Sequence, residues 1–218
     1  MKKVVISLGG SIVNPKDIDV IFLKKFKKII KDMNSKVILV VGGGDSARKY
    51  INAAKKFNVK SKDADWIGIM ATRINAELVR AVFNSDEVIY DPTKIIKSNK
   101  KIIIAAGYKP GWSSDYVAAM LAKKIKADYL LNLSNIYHVY NKNPSKFKDA
   151  IAYDKLSWKE MQKIVGTKWT PGLNVPFDPI ATKLCKLNKM KVIITKGTDI
   201  INLKKLLQEK KAKCTVIE

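Results

Sequence analysis

One histidine and two cysteines are all that 218 residues provide in the way of soft or readily titrating metal ligands. No metal cluster can be assembled from so few, and Cys185 and Cys214 sit apart in apolar-periodic stretches, as buried thiols of a reducing compartment do. No motif pairs a nucleophilic Ser or Cys with a base, so nucleophilic hydrolysis has little support. No apolar run approaches the ~20 residues of a membrane-spanning helix. The start, Lys2-Lys3 followed by a mostly apolar run to Val13, imitates a secretion signal. Gly9-Gly10-Ser11 interrupts that run, and no small-x-small site precedes Asn14-Pro15-Lys16, so it is read as a first strand. A cytoplasmic protein is expected, with no membrane partner.

Acidic residues are also scarce: 19 Asp and Glu stand against 42 Lys and Arg, a formal charge of +23. Such a balance suits an anionic partner. The excess is nearly all lysine, however, spread evenly over helices and loops beside much Ile and Asn. Nucleic-acid readers concentrate arginines on one face with aromatics between them, and no such patch is present. The charge is therefore read as compositional bias, with no specific nucleic-acid partner. At 47% apolar residues, the chain is long enough for one substantial α/β domain, or two small lobes, with a real core.

What the chain does have is glycine in a telling place. Val40-Val41-Gly42-Gly43-Gly44-Asp45-Ser46-Ala47-Arg48 reads as strand, glycine turn and helix, since Ala47, Tyr50, Ile51, Ala54 and Phe57 recur at helical spacing. Glycine removes the Cβ atoms that hold a ligand off the backbone, and the first N–H groups of a helix lack partners, so the stretch is expected to cradle phosphate. It is neither a Walker P-loop, for want of Gly-Lys-Ser/Thr, nor a dinucleotide fingerprint, for want of G-x-G-x-x-G.

Other turns gather around it. Lys3–Leu8 reads as a buried strand ending at Gly9-Gly10-Ser11, and Lys36–Val41 as the strand feeding the triple glycine. In an open parallel sheet both turns share the carboxyl edge, where ligands bind. Between them Asp17–Met33 is a basic amphipathic helix with Ile21, Phe22, Phe26, Ile29 and Ile30 inward. Asp65–Asn84 is a long helix with Ile67, Met70, Ile74, Leu78 and Ala81 on one stripe and Thr72, Arg73 and Asn75 on its polar side. Strands follow at Glu87–Tyr90 and Lys101–Ala106. The second opens into Gly107-Tyr108-Lys109-Pro110-Gly111-Trp112-Ser113-Ser114-Asp115, a loop suited to wrapping a substrate, with Asp115 read chiefly as the cap of helix Tyr116–Lys126. Trp112 suits packing and base stacking equally. Tyr129–Leu133 is the next strand, with Ser134-Asn135 at its end. A polar loop through Tyr140 and Asn143-Pro144 follows, then a short helix Ser157–Val165 and an irregular crossing at Pro171–Pro176. Asp178-Pro179 caps a further helix, and Lys191–Thr195, helix Asp199–Lys210 and Thr215–Ile217 close the chain. One domain spanning 1–218 is expected, with soft lobes 1–106 and 107–218.

Several glycine turns, amides and hydroxyls at one sheet edge suit a ligand with more than one phosphate. Phosphoryl transfer to an acceptor that is itself a phosphate fits this inventory: the acceptor is anionic near neutral pH, needs no general base, and positioning with charge stabilisation suffices.

At this point the sequence resembles the amino acid kinase family, and within it the uridylate (UMP) kinases of archaeal type. The likeness rests on Leu8-Gly9-Gly10-Ser11, Val41-Gly42-Gly43-Gly44 with Ala47-Arg48-Lys49-Tyr50, and Gly68-Ile69 with Thr72-Arg73-Ile74-Asn75-Ala76. It continues through Pro110-Gly111-Trp112-Ser113-Ser114-Asp115, Asn135 with Val139-Tyr140, Ile164-Val165-Gly166, and Asp178-Pro179-Ile180-Ala181-Thr182-Lys183, in order along essentially the whole chain. The resemblance implies a three-layer α/β/α sandwich around a largely parallel sheet, with ATP and UMP meeting end to end and Mg²⁺ bound through the phosphates. The first lobe would serve UMP and the second the donor.

By the same resemblance, Gly9 and Gly10 approach the transferring phosphate, Gly43 the UMP, and Gly44 and Arg48 the ATP. Asp65 accepts from the UMP ribose, and Gly107, Tyr108, Lys109, Pro110, Gly111, Trp112, Ser113 and Ser114 wrap UMP. Ser134, Asn135, Tyr140 and Asn143 match the adenine and ribose positions. Lys183 matches the lysine that meets the donor phosphates. Asp178 is read from the residues as the cap of its helix, either alone or while also ordering the glycine turns. A homo-oligomer, a hexamer built from dimers, is also implied. The sequence departs from the family at Ser7, where many relatives have lysine, at Ala106 in place of a glycine, and at Tyr137, His138 and Asn143 on the donor side. Rival expectations are a kinase of the same family acting on another small acid, and a nucleotide-binding regulatory or storage protein with weakened turnover.

Overall fold

The computed structural model describes residues 1–168, 173 and 175–218, so half of the Pro171–Pro176 crossing lies outside the described residues. In chain order the elements are β1 (Lys2–Leu8), α1 (Gly10–Val13), α2 (Val20–Asp32), β2 (Ser35–Val41), α3 (Gly44–Lys56), α4 (Ser61–Phe83) and β3 (Ile102–Ala105). Then come α5 (Ser114–Ile125), β4 (Tyr129–Ser134), β5 (Val139–Tyr140), β6 (Ala152–Tyr153), β7 (Lys155–Leu156), α6 (Trp158–Val165), α7 (Pro179–Leu187), β8 (Val192–Lys196), α8 (Ile200–Leu207) and β9 (Thr215–Ile217).

Seven strands form one sheet in the order β3-β2-β1-β4-β8-β9-β7, and β5 and β6 make a separate hairpin. The strands from β3 to β8 are parallel, while β9 runs against β8. The central strands are continuous runs of β-branched and leucine residues because helices cover both faces. On one face Val4, Ile6 and Leu8 meet Phe22 and Phe26 of α2, Val79 and Phe83 of α4, and Leu203 of α8. On the other, Val5, Ile38 and Val40 meet Val117 and Leu121 of α5, Met161 of α6 and Cys185 of α7. This is the expected three-layer α/β/α arrangement. The register aligns the strand ends, Leu8 pairing with both Val41 and Leu133, and Ser134 with Lys196. Consequently the turns after β1, β2, β3, β4 and β8 emerge along one edge.

Several local expectations change. Glu87–Tyr90 is not a strand but a single bridge between Ile89 and Ala105. The apolar stripe of α4 is turned outward: Met70 and Ile74 are exposed, and the buried residues include Ile69, Asn75, Ala76 and Val79. Asn75 drives that rotation, since its amide must reach the glycine turn beneath it. Ile21 of α2, and Tyr50 and Phe57 of the α3 stripe, are likewise exposed. Two-residue strands β5 to β7 carry too few residues for any periodicity to show.

Candidate active site

The two glycine turns interlock. A Cβ on Gly10 would lie 1.9 Å from the Gly44 nitrogen, one on Gly42 would lie 2.5 Å from the Gly10 nitrogen, and one on Gly44 would meet the carbonyl oxygens of Gly10 and Asn14 at 2.5 and 2.7 Å. Gly44 also has φ +64°, a conformation that disfavours side chains. Backbone packed on backbone thus requires these glycines even before any ligand approaches. Asn75 Nδ2 donates to the carbonyls of Gly42 and Gly43 at 2.9 and 3.0 Å, and the Asp45 N–H donates to Asn14 O at 2.9 Å. The N–H groups of Gly10, Ser11, Gly43 and Gly44 find no backbone acceptor among the described residues. Such a group of donors beside the start of α3 suits an anion.

Beneath the turns lies a half-buried acid whose carboxylate faces inward. Asp115 Oδ1 accepts from Ser7 Oγ at 2.9 Å and Asn132 Nδ2 at 3.1 Å, and Oδ2 accepts from the Asp178 N–H at 3.3 Å. Burial outweighs these donors and pushes its pKa up to about 6, with the nearby Asp178 charge acting in the same direction. The helix cap expected of Asp115 is supplied instead by Ser113, whose side chain accepts from the Tyr116 N–H. That frees Asp115, one residue into α5, to turn inward and join β1, β4 and the start of α7. Asp178 spends Oδ1 on the Ala181 N–H at 2.7 Å as the cap of α7. The adjacent Cys185 thiol is pushed well above its ordinary range by burial and by both carboxylates.

On one flank the 107–113 loop is anchored to α4. The Gly107 N–H donates to Thr72 Oγ1 at 2.8 Å, and the Gly111 N–H to Asp65 Oδ2 at 2.7 Å. Burial raises the Asp65 pKa, opposed by that N–H. Trp112 stands edge-on between Tyr108 and Tyr116, with centroids 5.3 and 4.6 Å away, and the Lys109 ammonium lies 5.0 Å from its ring. Pro110 and Gly111 form the outer bend, Gly111 at φ +84° with open space around it. Ser114 opens α5.

On the other flank Ser134, Asn135, Tyr140 and Asn143 line a hollow of about 410 Å³ with Ile164 and Pro176. Asn143 Oδ1 is engaged by Ser145. The two donor-side departures Tyr137 and His138 are not part of that lining. The Tyr137 hydroxyl donates to Asp199 Oδ2 at 2.9 Å, and the ammonium groups of Lys196 and Lys213 lie 5.3 and 5.2 Å from its ring. His138 Nδ1 is 3.5 Å from Asp154 Oδ1. Arg48, exposed on α3, reaches Pro15 O at 3.4 Å and Asp45 Oδ1 at 3.5 Å. Lys183 is exposed in the first turns of α7. The sheet edge therefore carries a hollow of about 410 Å³, a central pair of glycine turns and a second anchored loop, in that order.

A family model described as the amino acid kinase family matches residues 2–196. The chain belongs to the amino acid kinase family. Among curated members it is 38% identical to a uridylate kinase of Methanococcus maripaludis over 205 residues, covering 89% of this chain and 90% of that protein. A uridylate kinase of Thermoplasma volcanium is 34% identical over all of this chain and 98% of its own. The crystal structure of uridylate kinase from Archaeoglobus fulgidus superposes with a TM-score of 0.84 at 33% identity, covering both chains completely.

Within this amino acid kinase fold, the sequence-derived candidates divide by position. Gly9, Gly10, Gly43 and Gly44 come together at the centre, Asp65 and the 107–114 segment on one side, and Ser134, Asn135, Tyr140 and Asn143 on the other. Asp178 reaches the centre only through its backbone contact with Asp115. Sequence reasoning named Asn75 and Thr72 without giving either a role, and missed the inward role of Asp115. The signal for each was a polar residue falling in phase with buried apolar neighbours.

Proposed function

We propose that this protein is an ATP-dependent uridylate kinase, moving the γ-phosphoryl group of ATP to UMP to give UDP. The observation that carries the reading is the interlocked glycine pair, with its unpartnered N–H groups, set between a hollow suited to a nucleoside and a separately anchored loop. Such a site places two anionic substrates end to end. In the transfer, the bond from γ-phosphorus to the bridging oxygen of ATP breaks as a UMP phosphate oxygen bonds to that phosphorus. The acceptor oxygen carries no proton that must be removed, so alignment and charge stabilisation are what the protein supplies.

In this reading Gly9, Gly10 and Gly43 present the backbone to the phosphates, and Gly44, Arg48 and Lys183 serve the donor. Ser134, Asn135, Tyr140 and Asn143 hold its nucleoside. Asp65, by its second oxygen, and residues Gly107 to Ser114 receive UMP. Mg²⁺, when bound through the donor phosphates, would supply positive charge to offset theirs. The exposed Tyr50, Phe57, Met70 and Ile74 of neighbouring α3 and α4 support a homo-oligomer. The free Cys185 and Cys214 suit the reducing cytoplasm, and no described helix is long and apolar enough to cross a membrane.

UMP binding tests the acceptor assignment. Binding should persist at about 0.2 M salt, where counterion release already weakens polyanion binding, and Asp65→Asn should weaken it roughly tenfold or more. Salt-resistant, sequence-selective RNA binding with no detectable UMP binding would contradict the proposal.

A further inference from the structure

Arg73 follows Thr72 directly on α4, eight residues after Asp65, and reaches the same loop. Its Nε donates to Gly107 O at 3.4 Å and its terminal nitrogen to Tyr108 O at 3.1 Å. The guanidinium carbon lies 4.8 Å from the Tyr90 ring centroid and 5.8 Å from that of Trp66. Aromatic faces attract a guanidinium and fix its plane. The carboxylate that could compete for it, Glu77 one turn further along α4, is occupied by Arg80 Nε and by the Tyr90 hydroxyl, both at 2.6 Å. Glu77 thereby holds Tyr90 over Arg73 instead of pairing with it. No ion pair involving Arg73 is found among the described residues.

We infer that Arg73 is the positioning residue of the acceptor loop: it fixes residues 107 and 108 in the substrate-receiving conformation by binding their carbonyls. This rests on the reading of that loop as the acceptor site. Carbonyls in a loop that leaves the sheet need donors, or they turn to water and take the backbone with them. Thr72 and Arg73 meet this need at adjacent positions, one accepting the Gly107 N–H and the other donating to the Gly107 oxygen. Both polar groups of one peptide residue are thus fixed to one helix. Asp65 secures the loop at its far end, at Gly111. A guanidinium suits the inner position because its fork addresses two successive carbonyls at once, and a lysine ammonium lacks that planar geometry. The role also explains the cage of Trp66 and Tyr90, which immobilises a long side chain before substrate arrives.

Arg73→Met keeps the aliphatic stem between the two aromatic rings and removes the donors. A loop-positioning role predicts a rise of roughly 10- to 100-fold in KM for UMP, with KM for ATP and kcat at saturating UMP changed less than about threefold. In the unliganded protein, amide hydrogen exchange across 107–111 should accelerate at least about tenfold while the strands stay protected. Arg73→Lys should fall between the two proteins, and serves as the probe if the Met variant does not fold. Unchanged loop exchange in a folded variant, or equal losses toward UMP and ATP, would overturn the assignment. Absence of UMP phosphorylation by the unmodified protein would remove the kinase reading, while the exchange measurement would still decide the role of Arg73.

Discussion

Ser7 Oγ donates to Asp115 Oδ1 at 2.9 Å, a bond across 108 residues that ties the strand before the first glycine turn to the first turn of α5. The group facing this acid from β1 is a neutral hydroxyl and not a cation, and burial pushes the carboxyl's pKa up to about 6.

Because the folded-state pKa is raised above the ordinary 3.8, this group favours the folded protein most below pH ~4, and the contribution is lost as pH rises through about 6. The loss amounts to about 3 kcal/mol at most. Asp115→Asn keeps the shape without the charge. Its Tm should gain on that of the parent protein as pH is taken from 4 to 7, read as the difference between the two curves. Parallel curves over that range would show that Asp115 ionises without cost.

Asp115 also marks where the sequence stops being legible. The strands leading into both glycine turns could be read because residues buried on both faces leave unbroken apolar runs, and the shared edge followed from the topology. Asp115, Asn75 and Thr72 could not be placed, since an inward-turned polar residue is explained only by a partner far along the chain. Periodicity found the stripes of α3 and α4 but not what they face. Met70 and Ile74 point outward because Asn75 must point in.

Two glycines separate fold from flexibility. Gly10→Ala forces a methyl group into the Gly44 backbone, where no rotamer change can relieve it, and should cost ~3 kcal/mol or more or prevent folding. Gly111→Ala meets open space and carries only the strain of a positive φ, about 1–2 kcal/mol. Thermal or denaturant unfolding checks both; similar small effects would show that the two turns do not interlock.

The proposed function gives the exposed Lys183 of α7 the charge of the moving phosphoryl group to meet. Lys183→Met should lower kcat by roughly 10²–10³-fold while the folded protein still binds UMP. Turnover within a few-fold of the parent protein would place the residue on the surface with the other lysines.

The most direct measurement is of product: purified protein with ATP and Mg²⁺ is offered UMP, CMP, acetylglutamate and aspartate in turn, and ADP release is followed alongside formation of the phosphorylated acceptor. UDP formed in step with ADP, with UMP preferred by at least about tenfold in kcat/KM, is the predicted result. Preference for a carboxylate acceptor, or nucleotide binding with no transfer to any of the four, would contradict it.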